Sequence, residues 1–144
     1  MKLPVSLIIL TASVLVFCGC STAQRFEDVS SDPAHSAIVG GHFNLKVPMH
    51  ISGVNAPPGY EKLIDYYVVH QTSPSWSGPE LITRDTLPSG TIFTVESVRQ
   101  CSNCPFERVI DATICFSSYA TEVSRPVHIK LAYLSTELIE PLPN

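Results

Sequence analysis

Ten consecutive residues do most to restrict the fold of this chain. Phe43, Leu45, Val47, Met49 and Ile51 alternate with His42, Asn44, Lys46, Pro48 and His50. Side chains on a strand point to opposite faces in turn, so a period of two places all five apolar residues on one face of a half-buried β-strand. Proline lacks the N–H that a ladder needs, so Pro48 predicts an edge strand or a bend at that point. Twelve prolines against seven glycines in 144 residues favour turns and short elements over long helices.

The remaining segments follow the same pattern. Ala56-Pro57-Pro58-Gly59 is a turn, and the apolar run at 63–70 predicts a second strand, with a helix over 60–67 as the competing reading. Residues 72–79 form a Ser/Pro/Gly loop that holds the single tryptophan, Trp76. Further strands are expected at 80–84, 91–98, 109–117 and 127–134. The last of these carries Val127, Ile129, Leu131 and Tyr133 on one face. Residues 137–144, with Pro141 and Pro143, read as a terminal tail. The expectation is a mainly β domain of about six short strands, a small antiparallel barrel or sandwich. The stretch Leu87-Pro88-Ser89-Gly90-Thr91-Ile92-Phe93-Thr94-Val95 resembles the turn-into-strand of bacterial SH3-like barrels, which implies a barrel of that type.

The N-terminus has a different character. Lys2 precedes an almost wholly apolar stretch at 5–17, which suits the core of a signal peptide and is short for a membrane span. Phe17-Cys18-Gly19-Cys20 follows, and it resembles a bacterial lipobox. Gly19 matches the small residue before the cut and Cys20 the lipidated position, while Phe17 stands where leucine is usual. The resemblance implies a lipoprotein with a diacyl or triacyl, palmitate-type anchor on Cys20, and several acyl chains hold a protein stably on a bilayer. Ser21 at the next position implies export to the outer membrane, facing the periplasm. The expected organisation is a signal peptide at 1–19, the lipidated cysteine and a flexible tether at 20–41, and one mainly β domain at 42–144. On that reading Glu27, Asp28 and Asp32 are solvated tether residues, and a tether of that length holds the domain well clear of the bilayer.

Composition narrows the function. The full chain has formal net charge −4 and pI near 5.6, and only 15% of its residues are charged. Nucleic-acid binders and polybasic membrane-surface proteins normally show a basic excess, so neither is expected. No Gly-x-Ser-x-Gly or Ser-x-x-Lys hydrolase signature occurs, and no phosphate-cradling glycine loop. His42 and His50 lie eight residues apart on one strand face, too far at about 3.3 Å per residue to share an ion. They read as solvent-facing, as do His70 and His128, and no metal site or other cofactor is expected.

Three cysteines remain after processing: Cys101, Cys104 and Cys115. Disulfides persist in exported proteins, and three thiols leave one over. A bridge from Cys115 to Cys101 or Cys104 would close a hairpin of about 15 residues and stabilise the fold by roughly 3 kcal/mol. Pairing Cys101 with Cys104 gives instead the Cys-x-x-Cys spacing of thiol exchange, without the helix that normally tunes it, or a local structural bridge that rigidifies the turn. Trp76, set among serines and prolines, is the candidate contact for a partner. The leading expectation is a membrane-anchored, non-enzymatic binding or structural module that meets an envelope protein or cell-wall partner. An inhibitor or immunity role against a lysozyme or a rival's toxin belongs to the same class. The alternative is a thiol-disulfide active envelope protein that attacks through Cys101 and resolves through Cys104.

Overall fold

The structure is a computed structural model that describes residues 24–56, 63–73, 78–105, 107–117, 119 and 125–143. Trp76 and the lipobox around Cys20 lie outside the described residues. The chain is mainly β. In order the strands are β1 (Phe26–Asp28), β2 (His42–Leu45), β3 (Met49–Val54), β4 (Tyr66–His70), β5 (Leu81–Leu87), β6 (Ile92–Cys101), β7 (Ile110–Phe116), β8 (Val127–Lys130) and β9 (Ile139–Pro141). A 3-10 turn, Leu131–Ser135, separates the last two strands.

All nine strands belong to one sheet, ordered β5-β3-β4-β8-β7-β6-β2-β9, with β1 also paired to β6. The sheet is open rather than closed as a barrel. Every pairing is antiparallel except that of β4 with β8, which run parallel.

The alternating segment at 42–51 is two strands, and Pro48 marks the bend. Phe43, Leu45, Met49 and Ile51 are buried, while Val47 is 36% exposed at the corner. A second corner lies beside it at Pro88–Gly90, where Gly90 takes φ +84°. That left-handed conformation strains residues with a Cβ, so glycine suits the position. Antiparallel pairing continues through both corners. Phe43 faces Phe93 and Met49 faces Leu87. Between these pairs, Leu45 N–H donates to Thr91 O at 3.0 Å and Gly90 N–H donates to Leu45 O at 2.7 Å. β2-β3 and β5-β6 therefore form one bent two-stranded ribbon that folds the sheet over a single core.

That core contains Leu45, Met49, Val69, Leu87, Phe93, Val95, Val98 and Ile129, each 2% exposed or less. Phe93 stacks on Phe43 at 5.7 Å and meets Phe116 edge-on at 6.5 Å. Burying a large apolar side chain contributes about 1.5–3 kcal/mol, so this layer dominates stability. On β6 the inward period passes from Phe93 and Val95 to Val98 because a bulge shifts register between Val95 and Ser97.

Four expectations are revised. Residues 24–41 are not a free tether. β1 pairs with the end of β6, Ser30 Oγ accepts from Val98 N–H at 2.8 Å, and Gly40 N–H donates to Val95 O at 2.8 Å. Asp32 closes the turn between them, accepting through its carbonyl oxygen from His35 and Ser36 N–H and through Oδ1 from Ala34 N–H. The segment expected as a strand at 127–134 is strand only to Lys130, because the 3-10 turn begins at Leu131. The tail contains β9, paired to β2 and holding buried Ile139. Among the described residues the strands number nine rather than about six, because short pairings such as β1 and β9 carry no pattern of their own.

Candidate functional site

Three groups of side chains stand apart from the core. The first is the loop between β6 and β7. Cys101 and Cys104 are bonded there, with S–S 2.05 Å and Cα–Cα 5.7 Å. Of the three pairings left open, this is the one formed, and neither cysteine is bridged to Cys115. Cys115 faces Thr94 across the β6-β7 ladder, whereas Cys101 N–H bonds to Val109 O. Seven residues of strand, about 23 Å, separate Thr94 from Cys101. Cys115 is a free, exposed thiol. Cys101 is 6% exposed and Cys104 is the more accessible of the bonded pair. The loop also clamps the start of the domain. Arg25 N–H donates to Asn103 Oδ1 at 2.7 Å and Ser102 N–H donates to Arg25 O at 2.9 Å.

The second group is a polar row on the outer face of the sheet. Register places Asp28, Arg99, Asp111 and Lys130 in line across β1, β6, β7 and β8, and His70 faces His50 at the same end of β4. Arg99 Nη2 donates to Asp111 Oδ2 at 3.3 Å, and its guanidinium lies 4.1 Å from the centroid of the Phe26 ring. Burial pushes Asp111 above the usual carboxylate range and outweighs the attraction of Arg99; burial also lowers Arg99. One step along, His128 Nδ1 shares a hydrogen bond with Thr113 Oγ1 at 3.2 Å, and its ring lies 5.7 Å from Tyr66.

The histidines in this row depart from the expectation of solvent-facing rings. His128 is 5% exposed, and burial, helped by Arg99, pushes its pKa down to about 4. His70 is half-buried and also lowered, by burial first and then by His50 and Lys130. At neutral pH such groups are uncharged and serve as packed polar side chains. His42 is exposed, as expected, with Nδ1 2.8 Å from Thr94 Oγ1. Among the described residues no group of three or more His, Cys, Asp or Glu side chains is placed to hold a metal ion.

The third group is the candidate binding site. A cavity of about 560 Å³ opens between residues 34–43, the strand end at 107–110 and the 3-10 turn. Its wall is apolar, formed by Ile38, Phe43, Ile110, Leu131 and Leu134, and its polar groups are His35, Glu107, Arg108 and Lys130. That volume lies within the range of ligand pockets, roughly 300–1,000 Å³. His35 is 9% exposed, so it belongs to the wall. Glu107 Oε1 and Lys130 Nζ meet at 4.0 Å on the exposed rim, a contact of small energetic weight.

The sequence reading missed this site. Its walls come from a segment taken for tether and from a turn taken for strand. The one available signal was the apolar pair Ile38-Val39 within an otherwise polar stretch. A smaller cavity of about 380 Å³ lies by Cys115, Tyr119, Glu96 and Arg125. Tyr119 donates there to Asp85 Oδ2 at 2.5 Å, which ties the β7-β8 connection to β5.

Among the described residues no helix is long and apolar enough to cross a membrane. Compared with known proteins, the chain matches no family model, no curated sequence and no solved structure.

Proposed function

We propose that this protein is an envelope lipoprotein, held on the periplasmic face of the outer membrane through acylated Cys20, whose β domain is a non-catalytic binding module. The supporting observation is the apolar cavity framed by residues 34–43, 107–110 and the 3-10 turn. Lys130 and Arg108 outnumber Glu107 at its mouth, which favours an apolar group that carries an anionic end. An inhibitor or immunity protein that receives an apolar anchor from its target belongs to this reading. A membrane anchor raises local concentration near such a partner without any catalysis.

Anilinonaphthalene sulfonate, an aromatic anion, tests the site. Saturable fluorescence enhancement is expected for the folded domain, lost in Ala132→Trp, which fills the cavity mouth, and kept in Ala132→Ser. Absent saturation, or equal binding by Ala132→Trp, would rule the cavity out.

The second reading, thiol exchange, is favoured by one observation: Cys101 bonds to Cys104 rather than to Cys115. Cys101→Ser separates the two. Loss of thiol exchange with unchanged stability supports a redox role, and loss of stability alone supports a brace.

A further inference from the structure

The clamp on Arg25 fixes how near the domain stands to the membrane. Arg25 is tied through both its N–H and its C=O to Asn103 and Ser102, in the loop braced by the Cys101–Cys104 bond. Cys20 is five residues before Arg25 in the sequence. A fully extended chain covers at most about 3.6 Å per residue, so the lipidated cysteine and the clamp are no more than about 18 Å apart.

The rest of the sheet shows which end this is. Asp28, Arg99, Asp111 and Lys130 form a level row just above the loop. Cys115 faces Thr94, seven residues up β6 from Cys101 and about 23 Å away along the strand. Arg25, Arg108 and Lys130 are exposed at the lower end together with Glu27, Asp28 and Glu107, so this end is balanced in charge while the chain as a whole is negative.

We propose that the disulfide-braced end of the sheet, bearing residues 102–105, Lys130 and the cavity rim at Glu107 and Arg108, is a membrane-facing surface that rests against lipid headgroups. This rests on the lipoprotein reading of Cys20. The cavity mouth then stands beside the bilayer, and its ligand arrives from the membrane side. The opposite end, with the β7-β8 connection and Cys115, faces the periplasm.

The experiment uses the acylated full-length protein in vesicles of phosphatidylethanolamine and phosphatidylglycerol containing a headgroup-nitroxide lipid. A fluorophore is placed on native Cys115, or on Arg108→Cys in a Cys115→Ser background. Quenching is expected to be several-fold stronger at 108 than at 115. Inserting about twelve Gly/Ser residues after Ser21 should abolish the difference, because a flexible linker frees the domain. Equal quenching at the two positions, or stronger quenching at 115, with acyl mass confirmed on Cys20, overturns the orientation alone. Absence of acyl mass on Cys20 overturns the lipoprotein reading and the orientation with it.

Discussion

Cys115 and Thr94 are cross-strand neighbours on β6-β7, and this pairing keeps the third thiol far from the other two. Alkylation of the native protein without reductant is therefore expected to modify Cys115 and leave Cys101 and Cys104 joined. Cys115→Ser, an exposed change that breaks no disulfide, should alter stability by no more than about 0.5 kcal/mol. Cys104→Ser opens a closed loop of four residues and should cost about 2 kcal/mol on the chain-entropy estimate. Peptide mapping by mass spectrometry and urea unfolding of each variant check both statements. A Cys101–Cys115 peptide would contradict the first.

His128 makes stability depend on pH. Its folded pKa of about 4 lies below the ordinary 6.5, so between these values the unfolded chain binds the extra proton. Stability is therefore fully present above about pH 6.5 and falls as pH drops toward 4, by an amount on the order of 3 kcal/mol. His70 is shifted in the same direction and adds to the loss. Asp111 acts oppositely at the acid end, since its raised pKa lets the folded state hold a proton longer. Urea midpoints from pH 7 to 4.5 should fall for the native protein and fall less for His128→Gln.

Tyr119 secures the β7-β8 connection to β5 by one hydrogen bond, to Asp85, and its ring meets Phe116 edge-on at 5.5 Å. Tyr119→Phe removes the bond and keeps the ring, so a loss of about 1 kcal/mol is expected. Tyr119 should also ionise late, because burial, followed by the bond to Asp85, pushes its pKa up to about 12. Ultraviolet titration of Tyr119→Phe should show the late-ionising phenol missing.

Two glycines separate backbone strain from crowding. A Cβ at Gly90 meets nothing within 4 Å, so Gly90→Ala tests the cost of φ +84° alone, about 1–2 kcal/mol. A Cβ at Gly53 would stand 2.5 Å from Thr83 Oγ1 and 2.8 Å from Ile64 Cδ1. Gly53→Ala should cost about 1–3 kcal/mol through overpacking. Thermal unfolding of the two variants compares these effects, and an unaffected Gly53→Ala would show that the β3-β5 contact is loose.

The strands with internal alternation were legible in the sequence, and the features that depend on distant partners were not. Residues 42–51, 91–98 and 109–117 each reveal their inward face locally, and the hairpin of β6 with β7 follows from them. β1 and β9 are three residues each and exist because β6 and β2 offer them open edges. No local pattern announces such a pairing. The same cause hid the candidate site. His35 and Ile38 line a cavity only because Ser30 and Gly40 bond to β6 on either side of them. The alternation at Leu131 and Tyr133 fits a strand as well as a 3-10 turn, and the register of β8 against β7 ends at Lys130. Three thiols were candidates for a disulfide and two of them are joined; the pairing is set by the length of β6, which no spacing rule supplies.

The parallel contact of β4 with β8 has a kinetic consequence. Tyr67 and Val127 meet across sixty intervening steps of chain, and no hairpin can bring parallel strands together. The β6-β7-β8 meander can zip locally, as can β3 with β4, but the sheet becomes continuous only when these pieces find one another. Folding is then gated by loop closure rather than by local propensity, which places it among slow, high-contact-order domains with relaxation in milliseconds to seconds. Substitutions that weaken Val127 or Tyr67 should chiefly shorten the lifetime of the native state if that contact forms last.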